Sequence, residues 1–148
     1  MRFLALDLAT KTGWALSAGP SGTQDFSPRR GDSPGMRWIA FAGWLRRLLT
    51  DEPVDVIVYE QAHHRGGAAT HVAHGLISHV ERVAAELGIE VTSRHTASIK
   101  KHATGRGNSD KAAMVAAAQK RGWNPADDNE ADALWLLDLV LSEQGANR

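Results

Sequence analysis

Four acidic side chains stand on well-separated segments of the chain: Asp7 in MRFLALDLATKTGWAL, Glu60 at the end of VDVIVYEQ, and Asp128 and Asp132 in PADDNEADALWLL. Carboxylates that converge on one pocket repel and raise each other's pKa values unless a cation sits among them. Hard oxygen donors, in a chain without cysteine, suit magnesium or manganese rather than zinc. Two such ions about 3.5 to 4 Å apart stabilise both the attacking and the leaving oxygen when a phosphodiester is broken. Convergence of Asp7, Glu60, Asp128 and Asp132 as metal ligands would therefore supply the chemistry of a nuclease.

The elements that must deliver these acids alternate strands with helices. Residues 2 to 8 read as a buried strand with Asp7 near its end, and 12 to 18 and 23 to 27 as two further strands joined by a turn-rich hairpin link. Ser27 to Gly35 reads as a loop, whose Arg30-Gly31-Asp32 adhesion tripeptide is a chance occurrence. Asp32 or Ser33 is expected to cap a helix over 34 to 50, with Trp38, Ile39, Phe41, Ala42, Leu45, Leu48 and Leu49 on its apolar face. The β-branched run Val54 to Tyr59 reads as a central strand that carries Glu60 at its tip. Gly66 and Gly67 break the chain before a long helix over 69 to 87, striped by Val72, Leu76, Val80, Val83 and Leu87 and broadened by Ala73, Ile77 and Ala84. A strand over 89 to 92 and helices near 96 to 103, 109 to 121 and 128 to 142 complete an α/β pattern: a mixed five-stranded sheet flanked by helices.

The chain has 148 residues, which is one domain by size, with a frayed tail expected over 144 to 148. The apolar stretch before Asp7 is too short for a signal peptide or a membrane span, so a soluble, cytoplasmic protein is expected. Seventeen basic and 17 acidic side chains give a formal net charge of zero, unusual for a nucleic-acid binder because phosphate contacts come mainly from Lys and Arg. The charge is unevenly spread, however. Basic residues gather at Arg29 and Arg30, Arg46 and Arg47, His63 to Arg65, and Lys100 to Lys111, while Asp127 to Asp132 is acidic. Arg46 and Arg47 read as a solvated helix face, and the other groups as a basic rim around an acidic pocket.

Three blocks, in order and covering nearly the whole chain, resemble the RuvC family of Holliday junction resolvases, within the ribonuclease H-like superfamily, and most closely its short phage and prophage members. The first is Leu4-Ala5-Leu6-Asp7 followed by Thr12-Gly13-Trp14-Ala15; the second is Val58-Tyr59-Glu60-Gln61; the third runs from Lys100 through Gly105, Gly107 and Lys111 to Ala131-Asp132-Ala133-Leu134. The resemblance implies a ribonuclease H-like fold and assigns Asp7, Glu60 and Asp132 to the metal-binding carboxylates. It places Lys100 and Lys111 near the scissile phosphate, with Arg106 as a further phosphate contact on the Thr104 to Gly107 turn. It also implies cleavage of four-way DNA junctions with two magnesium ions per site, manganese substituting, and products with 5′ phosphate and 3′ hydroxyl ends. A homodimer follows from the same resemblance, with the helix 69 to 87 as its interface.

Two positions depart from the family pattern. Where the family commonly carries an aspartate three residues before the last acid, this chain has Asn129. Asp128, four residues before Asp132, lies on nearly the same helical face and is the preferred fourth ligand over Glu130, with Asn129 open as a neutral oxygen donor. The family also keeps a base-stacking aromatic residue shortly after the Glu-Gln pair, and here His63 stands there, flanked by His64 and Arg65. Stacking by His63 and a purely basic DNA-contacting loop through His63 and Arg65 are equally open readings.

The remaining candidates have structural readings. His71 and His74 lack the partners of a zinc site. Trp38, Trp44 and Trp135 are expected in the core, Trp14 within the sheet packing, and Trp123 as a closure at a helix end. Two competing functions remain: a junction-binding protein without turnover, suggested by Asn129 and His63, and an actin-like or sugar-kinase ATPase, which the Asp7 to Gly13 turn also resembles. The latter needs a second domain and a second phosphate loop, for which this chain shows no convincing segment.

Overall fold

The computed structural model describes residues 1–62 and 66–146; His63, His64 and Arg65 lie outside them, as do Asn147 and Arg148. Strands β1 (Phe3–Asp7), β2 (Lys11–Leu16) and β3 (Ser21–Asp25) precede helix α1 (Met36–Asp51). Then follow β4 (Val56–Glu60), α2 (Ala68–Leu87), β5 (Glu90–Arg94), α3 (Thr96–Thr104), α4 (Lys111–Lys120) and α5 (Asp128–Ala146). The strands form one mixed sheet in the order β3-β2-β1-β4-β5. The pairs β1–β2 and β2–β3 are antiparallel, while β1–β4 and β4–β5 are parallel.

Alternation along the strands divides the interior in two. Leu4, Leu6 and Ile57 face α1 and α2, where they meet Phe41, Leu45, Leu76, Val80 and Val83. Phe3, Ala5, Val56 and Val58 face the other way, against Ile99, Met114, Leu136 and Val140 of α3, α4 and α5. Helices therefore cover both faces of the central strands. That is why β1 and β4 read as continuous apolar runs rather than alternating ones.

The helix on which the site depends is tied down by polar contacts as well. Asp138 of α5 accepts a 2.9 Å hydrogen bond from Arg121, and its Oδ2 lies 2.8 Å from His102 Nε2, linking α3 and the end of α4 to α5. Arg94 of β5 binds Glu143 at 2.7 Å. Trp135 is buried, donates its indole N–H to the Met114 carbonyl at 3.2 Å and meets Trp123 at a centroid distance of 4.6 Å. Trp14 and Trp44 are half-buried and form an edge contact at 6.4 Å.

Four local expectations are corrected. Helix α1 starts after Gly35 with no side-chain cap: the Asp32 carboxylate accepts the Arg29 N–H at 2.8 Å and the Ser33 carbonyl accepts the Met36 N–H at 3.1 Å, so both serve the preceding turn. Ile39 is 68% exposed, because Phe41, Leu45 and Leu49, four residues apart, define a buried stripe two residues out of phase with it. Leu87 is 49% exposed: α2 ends at Gly88, whose left-handed φ of 68° turns the chain away, and Ala84 is buried in its place. Finally, the expected fraying at 144 to 146 is replaced by helix, since α5 runs to Ala146 and Gln144 reaches Met1 Sδ at 3.3 Å.

Candidate metal centre

Parallel pairing of β1 with β4 puts Leu6 beside Tyr59, so the next residues, Asp7 and Glu60, leave the same edge of the sheet together. Both stand at the carboxyl ends of their strands, where open α/β sheets hold their ligands. The third acid comes from α5, which crosses the face of β1 and β2. Its contact surface is made of small residues, Ala131 and Ala133, both fully buried, and it rests on Gly13, where a Cβ would stand 1.9 Å from the Asn129 carbonyl oxygen. Gly13 is thus a packing glycine, although it lies in the segment that also resembles a kinase phosphate turn. Asp128 begins α5 and Asp132 lies one turn further along the same side of the helix.

The result is convergence. Asp7, Glu60 and Asp132 each offer a carboxylate oxygen, and these atoms lie within 4.8 Å of one another. Burial raises the Asp7 carboxyl well above its ordinary value, and Glu60, Asp132, a hydrogen bond with Glu60, and Asp128 push the same way. Asp132 is pushed up to about 7, first by burial and then by Glu60 and Asp128, against the opposing pull of Lys100 and Lys111. Carboxyl groups buried and crowded in this way fit a divalent cation among them.

A cleft of about 410 Å3 surrounds the group. Its walls include Lys100 from α3, Lys111 from the start of α4, and Asp128 and Asn129 from α5. Lys111 Nζ lies 3.5 Å from Asp128 Oδ2, although the lysine side chain is largely exposed and the pair is correspondingly weak. Arg106 does not line the cleft but sits exposed on the turn that follows Gly105, whose φ is 85°. That turn is held by Thr104, which accepts the Arg106 N–H at 3.1 Å, and by Ser109, which donates to the Arg106 carbonyl at 2.9 Å. His63 and Arg65 lie outside the described residues, but their neighbours Gln61 and Ala62 line the cleft. Gln61 donates to the Ser93 hydroxyl at 3.3 Å, fixing the segment that leaves Glu60.

Asp110 also lines the cleft and was not among the candidates read from sequence. Its carboxylate accepts the Ala113 N–H at 2.8 Å and caps α4, a role signalled by an aspartate directly before a helix-forming run. His71 meets Trp38 edge-on at 6.2 Å, and among the described residues the metal-competent group is the acidic one alone. No helix among the described residues is long and apolar enough to cross a membrane.

No protein-family model and no curated protein sequence matches the chain. Solved structures do. A Thermus thermophilus RuvC structure is 17% identical with a TM-score of 0.71, covering 92% of this chain and 90% of that one. T. thermophilus RuvC in complex with a Holliday junction substrate is 16% identical with a TM-score of 0.74 over the same shares. The yeast mitochondrial Holliday junction resolvase Ydc2 is 13% identical with a TM-score of 0.57, over 90% of this chain and 76% of that one. The chain therefore has the ribonuclease H-like fold of the RuvC Holliday junction resolvases.

Proposed function

We propose that this protein is a metal-dependent, structure-selective endonuclease that hydrolyses phosphodiester bonds in branched DNA, four-way junctions foremost. The observation that carries the reading is the meeting of Asp7, Glu60 and Asp132 within 4.8 Å in a cleft walled by Lys100 and Lys111. An all-carboxylate donor set in which two members are pushed toward neutrality fits magnesium, with manganese as a substitute. Asp7, Glu60 and Asp132 would hold two ions, with Asp128 as the fourth ligand. Bound there, the ions would lower the pKa of the attacking water and offset charge on the departing oxygen.

The protein's own groups do the rest. Lys100 and Lys111 draw the scissile phosphate into the cleft and offset the charge that builds on it. Arg106, with His63 and Arg65 on the segment after Ala62, would bind flanking DNA. In-line attack of water on phosphorus breaks the bond to the 3′ oxygen, leaving a 3′ hydroxyl and a 5′ phosphate. Two opposed strands of a junction call for two symmetric sites, hence a homodimer, with α2 as its interface. With that substrate we propose a cytoplasmic location, in a bacterial cell or a phage-infected host.

The test is a cleavage panel of four-way junction, fork, flap and duplex DNA in magnesium and in manganese, run with the wild type and Asp7→Asn. The variant is expected to bind the junction and to lose metal-dependent cutting. Undiminished cutting by Asp7→Asn would overturn the assignment. Sedimentation of a monomer at micromolar concentration, with and without junction, would overturn the dimer.

A further inference from the structure

The cleft continues past the acids. A second hollow of about 430 Å3 shares Ala9, Ala69, Lys111, Asp128 and Asn129 with the first and extends to Thr10 and Lys11 at the start of β2. The two hollows differ in charge. Five carboxylates and two lysines line the first, whereas Lys11 and Lys111 face Asp127 and Asp128 in the second. Both of these acids are already engaged. Asp127 accepts from the Thr23 hydroxyl at 2.7 Å and from the Glu130 N–H at 2.9 Å, and Asp128 faces Lys111. The second hollow thus lacks the surplus negative charge of the first, and two lysines, Lys11 and Lys111, line it.

Lys11 is held firmly at its base and left exposed beyond it. The buried Thr12 donates its hydroxyl to the Ala9 carbonyl at 2.7 Å, and the Phe26 N–H donates to the Thr10 carbonyl at 2.7 Å. Asp25, opposite Lys11 in the β2–β3 ladder, accepts the Ser27 N–H at 2.8 Å and the Ser27 hydroxyl at 2.6 Å. Asp25 is thus bound first by its own turn, with the Lys11 charge a smaller influence on it, and Lys11 also lines the hollow.

We infer that Lys11 is a phosphate-positioning residue, holding in the second hollow the phosphate next to the scissile one on the cleaved strand. This rests on the nuclease reading. It makes the Asp7 to Lys11 segment a single ruler, with a metal ligand at one end and a phosphate contact at the other. Lys11 sets where the strand lies and takes no part in bond breaking.

The test is junction binding across a salt series in the Asp7→Asn background, with Lys11→Ala and Lys11→Arg added, beside cleavage kinetics of Lys11→Ala and Lys11→Arg in the otherwise wild-type protein. Loss of one phosphate contact lowers the slope of log affinity against log salt by about 0.9. Lys11→Ala is expected to show that loss, with the kinetic defect falling on KM more than on kcat, and Lys11→Arg to restore the slope. An unchanged slope in Lys11→Ala overturns the inference while leaving the nuclease intact. So does an equal fall in melting temperature and kcat that Lys11→Arg fails to rescue. A wild-type protein that neither binds nor cuts junctions overturns the nuclease reading itself.

Discussion

Gly13 and Asn129 meet backbone to backbone: a Cβ on Gly13 would stand 1.9 Å from the Asn129 carbonyl oxygen and 2.4 Å from its carbon. Gly13 also lies opposite Asp7 in the β1–β2 ladder. The residue that seats α5 on the sheet is thus the cross-strand neighbour of Asp7, and the depth of that seat bears on how near Asp132 comes to Asp7. Because the obstacle is backbone, Gly13→Ala must displace the helix itself. The expected cost is about 3 kcal/mol, or a fall in melting temperature of roughly 6 to 12 °C. Cleavage should fall even well below the melting temperature. A variant with native stability and native activity would show that α5 is seated by other contacts.

The raised carboxyl groups make stability depend on pH and on metal. The Asp132 carboxyl stands at about 7 against an ordinary 3.8, and Asp7 is raised as well, so between about pH 4 and 7 the metal-free folded protein holds protons that the unfolded chain has released. Stability therefore falls as pH rises through that window. Above it Asp132 is charged, a burden that a bound magnesium ion is expected to relieve, so the stabilisation by magnesium should be small near pH 5 and large near pH 8. Asp132→Asn should flatten the metal-free profile, melt several degrees higher than wild type at pH 8 without metal, and lose most of the magnesium increment. Calorimetric scans of both proteins at pH 5 and pH 8 decide it. A wild-type profile no steeper than that of Asp132→Asn contradicts the expectation.

The fourth corner of the site divides between neighbours. Asp128 acts electrostatically on both Asp7 and Asp132 and faces Lys111, whereas Asn129 contributes its backbone to the Gly13 contact and also lines the cleft. Asp128→Asn is expected to weaken magnesium binding and cleavage by roughly 10- to 100-fold, the scale seen when groups supporting a metal site are removed. Asn129→Ala should have a smaller effect. Metal titration followed by melting temperature, alongside cleavage rates, separates them; loss confined to Asn129→Ala would reassign the ligand.

Much of this was legible from residue order, for a physical reason. The apolar runs of β1 and β4 survive because helices cover both faces of these strands, and the stripe of α2 because one side of that helix lies on the core, so the strands that deliver Asp7 and Glu60 and the helix behind them could be placed. The ends of elements escaped. Leu87 continues the α2 stripe in sequence but not in space, because the helix ends at Gly88, and Asp32 and Ser33 resemble caps yet serve the turn before α1. The second hollow had no sequence signature, since Lys11, Ala69, Lys111 and Asp127 come from separate segments. Gly13 reads as a turn glycine, and only the path of α5 makes it a packing residue.

A second glycine gives the last test, because two effects of similar size oppose each other there. A Cβ on Gly75, inside α2, would stand 2.4 Å from Trp38 Cη2 of α1. Replacing a helix-interior glycine by alanine favours the helix by about 1 kcal/mol, while the overlap costs about 1 to 3 kcal/mol. The ring stacks on His79 at 5.6 Å and 17° and meets the edge of His71, contacts it would give up on moving aside. Gly75→Ala is therefore expected to destabilise by about 1 kcal/mol net, lowering the melting temperature by roughly 2 to 4 °C. In a Trp38→Ala background the obstacle is gone and the propensity gain alone remains, so the same change should raise the melting temperature. A double-mutant cycle reads this reversal directly. If Gly75→Ala stabilises with Trp38 in place, the indole swings aside freely and does not lock α1 to α2.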